Sequence, residues 1–128
     1  MTGQVVHFEV PYDDVDRARA FYSDVFGWNI MSMPESDYQF VSTGPTEDGG
    51  MPTEPGYIGG GMYQRDEALD KPIITILVDD MTAALAEIAA HGGKPVGEIQ
   101  HVGEMGLAAY FLDSEENLMG VWQSLDAS

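Results

Sequence analysis

Two side chains near the start of the chain are of the right types to move a proton. His7 and Glu9 stand one residue apart in Val5-Val6-His7-Phe8-Glu9-Val10, a run whose alternation predicts a strand. Residues i and i+2 of a strand share a face, so the imidazole and the carboxylate point the same way. An imidazole titrates near neutral pH, and a carboxylate in a partly apolar setting has its pKa raised. Such a pair can accept and return a proton; the plainer alternative is a hydrogen-bonded structural pair. His91 stands just before Gly92-Gly93, at the expected end of a helix, where a positive charge is favoured. His101 has Glu98 and Glu104 near it in sequence, a weak surface contact for a cation. With no cysteine, disulfides and thiolate metal sites are excluded. No glycine-rich phosphate loop and no Ser-His-Asp signature occurs.

The elements that must position these residues form a pattern that occurs twice. Val6 to Val15 and Pro72 to Met81 each run from an apolar-rich strand into Asp-Asp, and then into an Ala-rich helical stretch that stops at glycine. Asp13-Asp14 and Asp79-Asp80 are 66 residues apart, as are Ala18 and Ala84, and Gly27 and Gly93. Two copies are too few for a solenoid and imply a pseudo-symmetric domain. In the first half, a helix from Val15 to Phe26 puts Val15, Ala18, Tyr22 and Val25 inward with Phe21 beside them. It is capped by Asp13 or Asp14 and ended by Gly27. Strands are expected over Trp28 to Met33, Tyr38 to Ser42 and Tyr57 to Gln64, the last interrupted by Gly59-Gly60-Gly61, with a mobile loop over Thr43 to Gly56. Arg65 to Lys71 links the halves. The second half repeats the order: a strand over Ile73 to Val78, a helix through Ala90 with Met81, Ala84, Leu85 and Ile88 inward, then strands over Pro95 to His101, Leu107 to Leu112 and Asn117 to Gln123. The expectation is an α+β fold in one domain of residues 1–128. It comprises two tandem βαβββ modules, about 4–65 and 72–124, whose open sheet faces meet around a shared cleft.

Composition narrows the function classes. The chain has 128 residues, 44% of them apolar, enough for one packed core. No apolar run approaches the roughly 18–20 residues of a membrane span. No basic region followed by an apolar stretch opens the chain, so no secretory signal is expected, and with no cysteine a cytoplasmic setting is. The 22 acidic residues against five basic ones, Arg17, Arg19, Arg65, Lys71 and Lys94, give a formal charge of −17. With no basic stripe to meet phosphates, nucleic-acid binding is not expected. The acids are spread along the chain without a long block. That favours a halophilic adaptation to a salty cytoplasm over an acidic patch for a cationic partner, though both readings stand.

The chain resembles the vicinal oxygen chelate superfamily of glyoxalase I, bleomycin- and fosfomycin-resistance proteins and extradiol dioxygenases. The resemblance covers nearly the whole chain. Its carriers are His7-Phe8-Glu9-Val10-Pro11, Arg17-Ala18-Arg19-Ala20-Phe21-Tyr22, Val25-Phe26-Gly27-Trp28 and Phe111-Leu112-Asp113-Ser114-Glu115-Glu116-Asn117. The usual Asp-Pro-Asp/Glu-Gly-Asn turn reads Asp113-Ser114-Glu115-Glu116-Asn117 here. One fold of this kind hosts many reactions. The resemblance implies a divalent metal in the catalytic members, held from the first and last strand of each module and acting as a Lewis acid. Those four positions fall on His7, at or beside Gly60, on Ile73 and on Gly120, so one donor of four is present.

Counting in twos from these positions, Met62 and Gln64 follow Gly60, Thr75 follows Ile73, and Leu118 and Trp122 flank Gly120. With Trp28 and Tyr38 from neighbouring strands they describe a pocket for a small, partly apolar organic ligand; the alternative is that they fill the space between the modules. Three readings follow. One is a small-molecule-binding protein without the full metal site, using His7 and Glu9 and requiring no cofactor. Another is a metal-dependent lyase, isomerase or dioxygenase that keeps His7 as its metal ligand. The third is an acidic protein-interaction module. The resemblance also implies a homodimer.

Overall fold

The structure is a computed structural model that describes residues 3–32, 37–45 and 56–125. The chain divides into two compact units, one of residues 7–72 and one of residues 1–6 with 73–128. The first holds β1 (Val5–Tyr12) from His7 onward, α1 (Val15–Phe26), β2 (Asn29–Ser32), β3 (Gln39–Ser42) and β4 (Gly60–Gln64). The second holds β5 (Ile73–Leu77), α2 (Met81–Ala90), β6 (Lys94–Val102), β7 (Gly106–Leu112) and β8 (Leu118–Ser124). The expected order of elements is therefore present in both halves. Most of the loop expected over Thr43 to Gly56, and the expected end of a strand at Met33, lie outside the described residues.

In the first unit the strand order is β2-β3-β4-β1, with β1 and β4 parallel and the other pairs antiparallel. The helix starts where Asp14, in an extended conformation, accepts a hydrogen bond from the Arg17 N–H at 3.0 Å. It stops at Gly27, whose φ of +74° is a left-handed conformation that costs glycine nothing. Between helix and sheet lies a core of Tyr12, Ile30, Val41 and Met62, with Phe8, Val10, Val15, Ala18, Tyr22 and Trp28 packed on it. Trp28 stacks on Tyr22 with ring centroids 4.6 Å apart and planes 8° from parallel. Arg19 fastens the helix to β2, donating to the Ile30 carbonyl and the Ser32 hydroxyl at 3.2 Å each. Val25, expected inward, is 58% exposed, and Phe21 and Phe26 are exposed with it. The helix ends at Phe26, one turn after Tyr22, and Val15, Ala18 and Tyr22 pack on the core while Val25 does not.

In the second unit the order is β5-β8-β7-β6, again with one parallel pair, β5 with β8. Asp80 caps α2 by accepting from the Ala83 N–H at 3.1 Å. The inward positions are those expected: Met81 and Ala84 are in the core with Val78, Ala109, Phe111 and Val121, and Leu85 and Ile88 pack against it. Gln4 belongs to this unit, its carbonyl accepting from the Leu77 N–H at 2.8 Å. The β7–β8 turn is organised by Asp113, whose carboxylate accepts from the backbone N–H groups of Glu115 and Asn117 and from the Asn117 amide. Those bonds hold its carboxyl below the usual range. Glu116 takes φ +64° at the place where the related turn carries glycine. No helix among the described residues is long and apolar enough to cross a membrane.

Candidate functional site

The pairing of β1 with β4 fixes which side chains share a face. Phe8 pairs with Gly60, Glu9 with Gly61, Val10 with Met62 and Tyr12 with Gln64. Phe8, Val10, Tyr12 and Met62 pack beneath the helix, so His7 and Glu9 lie on the opposite face, which they share with Gly61 and Tyr63. The expectation that Met62 and Gln64 share a face with His7 is therefore corrected. Met62 is fully buried in the helix-side core, and Gln64 donates its amide to the carbonyls of Tyr12 and Asp13. The matching position on the His7 face is Gly61, one residue beyond Gly60. A one-residue slip exchanges the faces of every side chain on a strand. Trp28 also lies on the helix side, against Phe8 and Tyr22.

His7 and Glu9 do share a face, and they have company that spacing alone does not assemble. The Tyr38 hydroxyl and His7 Nε2 are 2.8 Å apart, a good hydrogen bond. A Cβ built on Gly61 would lie 1.8 Å from that hydroxyl and 2.1 Å from Cζ of the same ring. The Tyr38 ring thus covers Gly61, and it can do so only because Gly61 has no side chain. Glu9 is 7% exposed. Burial lowers the His7 pKa and so favours the uncharged ring, and the Glu9 charge opposes that shift. Tyr63 is also on this face. Burial first, and Glu9 next, push its phenol up to about 12, and its hydroxyl donates to the Lys71 carbonyl at 2.6 Å.

In the second unit Thr75 pairs with Gly120 and Leu77 with Trp122, while Val121, Ala109 and Phe111 turn to the helix. Thr75, Leu118 and Trp122 accordingly share the face away from α2. Thr75 and Ile73 pack over Gly120, where a Cβ would lie 2.8 Å from Thr75 Oγ1. The Trp122 ring packs over Gly106 in the same way. A surface depression of about 270 Å³ in the first unit, lined by Tyr12, Arg17, Phe21 and Arg65 among others, does not include His7 or Glu9.

The donor set does not fit the four-ligand metal centre of the catalytic relatives. Of the four positions only His7 has a metal-binding side chain. Ile73 is apolar, and at Gly61 and Gly120 the space for a donor side chain is filled by Tyr38 and Thr75. No group of three or more His, Asp or Glu among the described residues could hold a metal ion. His91 pairs with Glu87 at 3.2 Å on the exposed end of α2. His101 is exposed on β6, which pairs with β7 at Leu107.

Comparison with known proteins agrees with this architecture. Residues 4–44 match the family described as bleomycin resistance protein-like N-terminal. A glyoxylase-like domain-containing protein of Didymella fabae is 31% identical over 124 residues, which cover 90% of this chain and 89% of that protein. Among solved structures, a glyoxalase/bleomycin resistance protein/dioxygenase superfamily member from Vibrio splendidus 12B01 superposes with a TM-score of 0.63 at 16% identity, covering 96% of this chain and 100% of the other. A single-residue variant of Streptomyces coelicolor methylmalonyl-CoA epimerase, in complex with 2-nitronate-propionyl-CoA, superposes with a TM-score of 0.66 at 16% identity, covering 98% and 97%. At such identities the solved structures speak to the fold. With the curated relative, which matches along nearly its whole length, they establish that this chain belongs to the vicinal oxygen chelate superfamily of glyoxalases, bleomycin-resistance proteins and dioxygenases.

Proposed function

We propose that this protein binds a small organic molecule on the His7 face of its first sheet, and that it does so without the full metal site of its catalytic relatives. The observation that carries the reading is the hydrogen-bonded His7–Tyr38 pair, seated over Gly61 with the Glu9 carboxylate on the same face. It offers an imidazole, a phenol and a carboxylate beside Tyr63, chemistry suited to a partly apolar ligand with hydrogen-bonding oxygens. That the epimerase neighbour holds a CoA ester supports the choice of ligand panel and nothing finer.

The test is a thermal-shift and equilibrium-dialysis screen of small organic acids, ketones and acyl-CoA thioesters, run in molar KCl on the wild type, His7→Ala and Tyr38→Phe. A ligand at a hundred times its Kd stabilises by about 2.7 kcal/mol, a midpoint rise of roughly 10 °C for a chain of this length. The expected result is a ligand whose shift falls sharply in both variants. A ligand bound equally well by all three proteins would place the site elsewhere and refute the reading.

A further inference from the structure

The His7 face shows more than the loss of a second donor on β4. A side chain at position 61 and Tyr38 in its observed position exclude one another, since the Cβ of any such side chain would lie 1.8 Å from the Tyr38 hydroxyl. The same hydroxyl is 2.8 Å from His7 Nε2. A metal bound through Nε2 needs the lone pair on that nitrogen. If the imidazole proton is on Nδ1, the phenol donates to that lone pair. If it is on Nε2, there is no lone pair to offer, and the phenol oxygen accepts. In either tautomer Nε2 is engaged while Tyr38 stays where it is.

We infer that Tyr38 is an internal occupant of the half-site that the first unit would furnish to a metal. Its ring takes the space of the missing ligand side chain on β4, and its hydroxyl takes the coordination direction of His7 Nε2. Tyr38 is in this sense a specificity-determining residue, holding His7 for hydrogen bonding and away from divalent cations. The inference concerns metal exclusion alone and stands or falls separately from the identity of any organic ligand.

Ni²⁺ titration followed on the ring signals of the three histidines tests it, in molar KCl so that the acidic surface is screened. In the wild type, the exposed His91 and His101 signals should broaden first while the His7 signal stays sharp. Tyr38→Phe removes only the hydroxyl, and His7 should then broaden at roughly five- to tenfold lower Ni²⁺, the fold-change expected for release of one hydrogen bond. Tyr38→Ala combined with Gly61→Glu sets a third donor beside His7 and Glu9, and should bind one Ni²⁺ in a manner lost on His7→Ala. His7 broadening in the wild type at the concentration that affects the exposed histidines overturns the inference, and this measurement needs no variant to fold. Equal His7 sensitivity in the wild type and a folded Tyr38→Phe protein overturns it as well.

Discussion

Replacing Gly61 by alanine isolates the contact on which the candidate site is built. An alanine in a strand interior should stabilise by roughly 0.5–1 kcal/mol over glycine, because less backbone entropy is lost. Here the new methyl would lie 1.8 Å from the Tyr38 hydroxyl and 2.1 Å from its ring, so the ring must leave. Its departure breaks the 2.8 Å bond to His7, a net loss of about 0.5–1.5 kcal/mol. It also breaks the edge-to-face contact with Phe40, at 5.5 Å between centroids, a further loss of about 0.5–1.5 kcal/mol. Gly61→Ala should therefore destabilise the protein by about 1–2 kcal/mol. In a Tyr38→Ala background the obstruction is gone, and the same substitution should be neutral or stabilising by about 0.5 kcal/mol. The coupling between the two positions is then about 1–2.5 kcal/mol. Urea unfolding in molar KCl measures all four corners of the cycle. Gly60→Ala is the control: its methyl would meet the Phe8 ring at 2.7 Å on the helix side, so its cost should couple to Phe8 and not to Tyr38. An equal cost for Gly61→Ala in both backgrounds would show that Tyr38 does not lie over Gly61, and the site would have to be redrawn.

Three further outcomes are expected. Glu116→Gly should raise the melting midpoint by about 2–4 °C, because φ +64° costs a side-chain-bearing residue roughly 0.5–1 kcal/mol more than glycine; a calorimetric scan showing no rise would mean that the turn repays that strain. Tyr63 has its folded pKa raised to about 12 from about 10, so its contribution is complete below pH 10 and is lost as pH rises toward 12. Wild-type stability should thus fall more steeply over pH 10–12 than that of Tyr63→Phe, which starts lower by about 1 kcal/mol for the lost bond to the Lys71 carbonyl; parallel profiles would refute the assignment. With a charge of −17, the melting midpoint should climb between 0.1 M and 2 M KCl as the screening length shrinks from about 10 Å to under 3 Å, and an unchanged midpoint would remove the halophilic reading.

What the sequence makes legible follows from which signals are periodic. The two Asp-Asp pairs mark helix starts because a carboxylate one residue before a helix meets an orphan N–H, and Asp14 and Asp80 both do so. His7 and Glu9 fall on one face because a strand repeats in twos. The parity of β4 is different in kind. Gly59-Gly60-Gly61 carries no side chains, so alternation has nothing to register on, and counting from Gly60 puts Met62 on the His7 face when it belongs to the core. The signal that corrects the count is Met62 itself, followed by Tyr63. One of the two has to face the helix, and the unbranched apolar side chain fills a core more readily than a phenol that needs a partner. Trp28 escapes the strand count for a local reason, since it follows the left-handed Gly27, which sends the chain back along α1 and lays the indole on Tyr22. Tyr38 is legible as a pocket residue but not as the partner of His7. Its bond to His7 spans 31 residues, and nothing in either segment's spacing announces it. Yet its ring explains why glycine stands at position 61, so the absent ligand and the tyrosine form one feature of the first sheet.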